Sequence, residues 1–93
     1  MIHYENEVRK AVKKGTLPKE IFARFSNAFI ALETTGDLGL FDIKKVKSSE
    51  KRTYYRLRKS KYRAIFYIEN NDYYVISIEK RGVRDLANQQ MSS

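Results

Sequence analysis

The sequence has no cysteine and no tryptophan, a single histidine (His3) and a single proline (Pro18) in 93 residues. Without cysteine there is neither a disulfide framework nor a thiolate metal site. A solitary histidine argues against the common zinc sites. No stretch approaches the roughly 20 apolar residues of a membrane-spanning helix, and the opening residues Met1 to Glu5 lack the apolar run of a signal peptide. These absences lead to the expectation of a soluble, cytoplasmic protein with no membrane partner, no metal and no cofactor. With 42% hydrophobic and 13% aromatic residues the chain is too rich in large apolar side chains to stay disordered. Its length suits one small domain with one modest core.

What is present in excess is positive charge, and it is confined. Between Lys44 and Arg63 stand ten basic side chains (Lys44, Lys45, Lys47, Lys51, Arg52, Arg56, Arg58, Lys59, Lys61, Arg63) against Glu50 alone, a net of +9. The rest of the chain carries nine basic and ten acidic residues, a net of −1. Such a segment repels itself, and a densely anionic partner is the usual reason for one.

The first half has helical spacing. Tyr4, Val8, Ala11 and Val12 recur at three and four residues, and Gly15 ends the run. Pro18 opens a second helix, where the first turn tolerates proline. Ile21, Phe22, Phe25, Ala28, Phe29 and Leu32 then form a wide apolar stripe, closed by Gly36-Asp37-Leu38-Gly39. Ile2 to Tyr4 suit a short opening strand. The second half suits strands at about 41–47, 53–58, 62–69 and 73–81. The short gaps 59–61 and 70–72 predict hairpins, and Asn70-Asn71-Asp72 suits the left-handed backbone of such turns. The fold class expected is α+β: two N-terminal helices on one face of a small, mainly antiparallel twisted sheet. The domain is expected to span 1–86, with 87–93 a polar tail and a helical turn near Val83 to Asn88.

Strand alternation divides the charged segment between two faces. In 53–58, Tyr54, Arg56 and Arg58 oppose Tyr55 and Leu57. In 62–69, Arg63, Ile65 and Tyr67 oppose Ala64, Phe66 and Ile68. In 73–81, Tyr74, Ile76 and Ile78 are expected inside, with Val75, Ser77, Glu79 and Arg81 outside. The open face then gathers Arg56, Arg58, Arg63 and Arg81, with Glu79 its one acid and Tyr54 and Tyr67 among them. A merely solvated face usually mixes signs. Guanidinium forks match phosphate oxygens, and tyrosines stack on unpaired bases, so single-stranded nucleic acid is favoured over duplex. No helix is basic enough to read a major groove.

The run Tyr55-Arg56-Leu57-Arg58-Lys59-Ser60-Lys61-Tyr62-Arg63-Ala64-Ile65-Phe66-Tyr67, the closing strand Val75-Ile76-Ser77-Ile78-Glu79-Lys80-Arg81 and the entry Leu17-Pro18-Lys19-Glu20-Ile21 into the second helix resemble the RelE/ParE superfamily of toxins. The resemblance covers roughly residues 1–86. In its RelE-like branch it implies a ribosome-dependent mRNA interferase. That enzyme cuts messenger RNA by metal-independent attack of a 2′-hydroxyl on the adjacent phosphate. By position, Arg56, Arg58, Arg63 and Arg81 would bind the scissile phosphate and stabilise the charge that develops. The resemblance leaves the general acid/base open. RelE-like enzymes often carry a lysine where Tyr54 stands and a tyrosine or histidine after the arginine matching Arg81; Gly82 to Ala87 contain neither. Tyr54 and Glu79 are the two candidates. Lys44, Lys45, Lys47, Lys51, Arg52, Lys59, Lys61 and Tyr67 are the expected surrounding RNA-binding set. Arg9, Lys10, Lys13 and Lys14 offer a further basic surface for ribosomal RNA. The implied partners are a cognate antitoxin, joined in a toxin–antitoxin hetero-oligomer, and messenger and ribosomal RNA. The alternatives are a ParE-like toxin that inhibits DNA gyrase without cutting RNA, or an inactive nucleic-acid-binding relic.

Overall fold

The computed structural model describes residues 1–48 and 51–81. The elements follow the order β1 (Ile2–Tyr4), α1 (Asn6–Lys14), α2 (Lys19–Thr35), a 3-10 turn (Leu38–Leu40), β2 (Asp42–Ser48), β3 (Thr53–Lys59), β4 (Tyr62–Glu69) and β5 (Asp72–Lys80). The expected boundary at residue 86, the tail and the turn near Val83 lie outside the described residues.

Each helix ends where the backbone must turn left-handed. Gly15 (φ 84°) caps α1 and Gly36 (φ 68°) caps α2, with the cap N–H groups reaching back to Val12 and Leu32. A side chain with a Cβ is strained there, which is the reason for glycine. Pro18 precedes α2 at its N-cap. Tyr4, although in helical spacing with Val8, belongs to β1 and pairs with Val75.

Five strands form one sheet in the order β1-β5-β4-β3-β2. All pairs are antiparallel except β1 with β5, which are parallel. The β4–β5 hairpin turns through Asn70 (φ 53°) and Asn71 (φ 67°), the two positive values a tight type I′ turn requires. Both helices cover one face. Phe25, Ala28, Phe29 and Leu32 of α2, at i, i+3, i+4 and i+7, pack with Val8 and Leu17 onto Leu57, Ala64, Phe66, Tyr73, Val75 and Ile78. Phe66 sits at the centre, edge-on to Phe29 (5.1 Å) and stacked with Tyr55 (5.5 Å) and Tyr73 (6.0 Å).

One expectation about the sheet fails. Tyr74 and Ile76 do not face the core; Tyr73 and Val75 do, with Ile78. Ser77 opposes Ile65 but Val75 opposes Phe66, so one extra residue of β5, Ile76, is inserted in a β-bulge. A bulge reverses the alternation on one side of itself. Ser77 and Glu79 keep the predicted face, Val75 moves inside and Tyr74 moves out. A second bulge at Val46 shifts β2 against β3. Burial pushes the Tyr73 hydroxyl up from its ordinary pKa, and it donates to the Leu32 carbonyl at 3.3 Å.

Candidate nucleic-acid interface

The face turned away from the helices is ordered in three rows that run across the strands. The first reads His3, Tyr74, Tyr67, Tyr54 through β1, β5, β4 and β3. The second reads Ser77, Ile65, Arg56, Lys44, and the third Glu79, Arg63, Arg58, Asp42, both through β5, β4, β3 and β2. Successive rows lie two residues apart along β3 and β4, about 7 Å, and the bulge makes the first step along β5 three residues, Tyr74 to Ser77. One end of the face is therefore aromatic and the other guanidinium-rich.

The aromatic row is a continuous stack. His3 stacks on Tyr74 at 4.7 Å and Tyr74 on Tyr67 at 4.8 Å, while Tyr54 meets Tyr67 edge-on at 5.8 Å. The Arg52 guanidinium lies over the Tyr67 ring at 3.8 Å and 4.0 Å from Glu69 Oε2. A hydrogen bond with Tyr54 is the main cause raising the Arg52 pKa. Tyr67 is only 8% exposed, with Tyr74 stacked on it and the Arg52 guanidinium over its ring. Desolvation in the row, followed by the nearby Asp72 and Glu69 carboxylates, pushes the Tyr74 hydroxyl up. Tyr74 and His3 were not expected in the site. The bulge that delivers Tyr74 leaves no mark in the hydrophobic pattern.

In the guanidinium-rich rows, Arg58 and Arg63 are direct cross-strand partners, Arg63 faces Glu79, and Arg56 is flanked by Lys44 and Ile65. The Arg56 Nε is buried and has no hydrogen-bond partner among the described residues. Asp42, the first residue of β2, accepts from Arg58 Nε at 3.0 Å, so Glu79 is not the one acid on this face. Extending the alternation into the strand at 41–47 would have found it. Arg58's hydrogen bond is the leading cause that holds the Asp42 carboxyl below its ordinary pKa. A depressed carboxylate pKa contributes stability that is present above the unfolded value, near 4, and lost as pH falls through the folded value. The difference in melting temperature between the wild type and Asp42→Asn is accordingly expected to shrink as pH is lowered from 6 to 3. A difference that grows on acidification would contradict the pair's role.

The remaining predicted residues divide. Arg81, expected as the last residue of the strand, follows β5 directly and begins helical backbone, its N–H bonded to the Lys61 carbonyl at 2.7 Å. Lys61 is exposed in the β3–β4 turn and Lys51 precedes β3, also exposed. Lys47 pairs in the backbone with Tyr54. Lys45 pairs with Tyr55 and so has the parity of the helix-covered face. Lys59 reaches that same side, over the Phe41 ring at 5.5 Å. There it lines a cleft of about 600 Å³ with Arg24, Asn27, Ala28, Phe41 and Ser60. Arg24 approaches the Ser60 hydroxyl across it at 3.5 Å. Among the described residues no group of three or more His, Asp or Glu side chains is placed to hold a metal ion. No described helix is long and apolar enough to cross a membrane.

No protein-family model and no curated protein matches the chain. Solved structures do. The chain is similar to one in the archaeal RelE-RelB complex from Pyrococcus horikoshii OT3, with 25% identity and a TM-score of 0.69 over 87% of this chain and 93% of that one. It is also similar to one in the RelB-RelE antitoxin-toxin complex from Methanococcus jannaschii, with 20% identity and a TM-score of 0.67 over 94% of this chain and 96% of that one. Two helices on one face of a five-stranded, mostly antiparallel sheet, with β1 parallel to β5, are a RelE-like fold.

Proposed function

We propose that this chain is the toxin of a toxin–antitoxin pair and an endoribonuclease that cuts messenger RNA on the ribosome. The observation that carries the reading is the arginine-rich end of the open face, where Arg56 stands in the row next to the cross-strand pair Arg58 and Arg63. The likeness to chains from antitoxin–toxin complexes supports the same reading. In the reaction a ribose 2′-oxygen attacks the neighbouring phosphorus as its proton leaves. The bond to the 5′-oxygen of the next nucleotide then breaks, and that oxygen takes up a proton. The products are a 2′,3′-cyclic phosphate and a 5′-hydroxyl. Arg56, Arg58, Arg63 and Arg81 stabilise the negative charge on the five-coordinate phosphorus. Of the two proton-transfer candidates, Glu79 stands in the row of Arg58 and Arg63, whereas Tyr54 stands in the aromatic row and meets Arg52. Proton abstraction is therefore assigned to Glu79, and Tyr54 is assigned to base contact. Lys44, Lys51, Arg52 and Lys61 form the basic field that draws RNA to the face.

The antitoxin is the second partner. The cleft behind the sheet is lined by the apolar side chains of Ala28 and Phe41 and by two cations, Arg24 and Lys59, and suits an amphipathic segment that carries carboxylates. Binding there joins the two chains in a hetero-oligomer.

The test is to map messenger RNA 5′ ends after brief induction. New ends within translated reading frames, together with arrest of protein synthesis, are expected. DNA damage with translation initially intact would instead point to gyrase, and salt-sensitive RNA binding without cleavage to a binding module.

A further inference from the structure

The outermost row of the open face alternates in a specific way: acid, base, base, acid, in Asp42, Arg58, Arg63 and Glu79 across four strands. The two inner guanidiniums are direct cross-strand neighbours, which repel each other. Such a pair is useful only if something holds both forks toward one anion. Asp42 Oδ2 accepts from the Nε of Arg58 at 3.0 Å, and among the described residues it is the one hydrogen-bond partner of that side chain. Contact through Nε fixes the guanidinium plane and leaves both Nη groups for another acceptor, because the fork is rigid and planar. Asp42 sits on the edge strand, outside the arginine pair, so it takes hold of Arg58 from the side away from Arg63.

We propose that Asp42 is a positioning residue for RNA: it orients Arg58 so that its Nη groups and Arg63 address the same phosphodiester. The inference rests on the reading of the open face as an RNA-binding surface. It makes a prediction opposite in sign to simple electrostatics. Removing a carboxylate from a basic face raises the local positive potential, which by itself tightens the binding of a polyanion. Removing a positioning group releases a long side chain that must then be ordered at the moment of binding, which weakens it.

The experiment compares the full-length wild type, Asp42→Ala and Asp42→Asn. The asparagine keeps an Oδ acceptor for Nε–H without the charge. Affinity for a single-stranded RNA octamer is read by fluorescence anisotropy, and cleavage of messenger RNA in a translating extract is read in parallel. Asp42→Ala is expected to bind roughly three- to tenfold more weakly. Its kcat for cleavage is expected to fall by a similar factor, whereas Asp42→Asn stays within about twofold of wild type in both. Alanine binding as tightly as the wild type, or more tightly, would overturn the proposal, as would an asparagine variant as weak as alanine. Wild type that binds RNA without cutting it would overturn the nuclease reading while the order of affinities still decides Asp42. If the wild type cuts in the extract without binding the free octamer, the order of cleavage rates decides Asp42; wild type that neither binds nor cuts RNA overturns both. Melting temperatures of the three proteins confirm that the comparison is made between folded chains.

Discussion

Replacing Arg56 and Arg81 together with alanine is expected to abolish the arrest of translation and lower the cleavage rate by about a thousandfold or more. Arg56 stands in the middle row, between Lys44 and Ile65. Arg81 lies one residue past β5, where its N–H is tied to the Lys61 carbonyl. Removal of a single donor to a developing oxyanion lowers a rate by about a hundredfold to a thousandfold, and donors that act on one group are not independent. The fold is expected to survive, because both side chains are partly exposed and neither belongs to the core. The check is 5′-end mapping beside a melting curve. Undiminished cleavage by a folded double variant would remove the arginine face from the reaction.

Phe66→Ala is expected to destabilise the protein by about 3–5 kcal/mol, to be read as a fall in the denaturant midpoint. Phe66 is fully buried on the central strand β4. Its ring is the contact between α2, through Phe29, and both neighbouring strands, through Tyr55 and Tyr73. Alanine there leaves a hole bounded on three sides by rings that are themselves packed, so collapse cannot fill it. Domains of this kind have roughly 5–15 kcal/mol in total, so the variant should be partly unfolded at growth temperature. A midpoint change worth less than about 1 kcal/mol would show that the core around Phe66 is looser than its packing indicates.

Much of this architecture was legible residue by residue. The stripe from Phe25 to Leu32 specifies a helix with one buried face. Gly15 and Gly36 mark its end and that of its predecessor. Asn70-Asn71 mark a tight hairpin, because few other residues accept two consecutive left-handed conformations. The alternation through Tyr54–Arg58 and Arg63–Ile68 placed three of the four arginines correctly, since those strands run without interruption between their turns.

The parts that were not legible share one cause. Alternation is local, and it holds only while the register is regular. An inserted residue such as Ile76 is indistinguishable in sequence from a paired one, because Val75, Ile76 and Ile78 are all apolar and any two of them could face the core. Packing chose Val75 and Ile78, which fill the space beneath the helices, and sent Tyr74 to the open side to complete the stack with His3 and Tyr67. The pairing of Asp42 with Arg58 depends likewise on which strands become neighbours: the two residues lie sixteen apart in the chain and meet through the β2–β3 register. By itself, then, the sequence determined the elements, their turns and the concentration of charge, all of which follow from short-range sterics and composition. The tertiary structure decided which aromatic rings line the site, which carboxylate restrains which arginine and which lysines fall behind the sheet, because those depend on register, and register is settled only when the whole sheet packs against the helices.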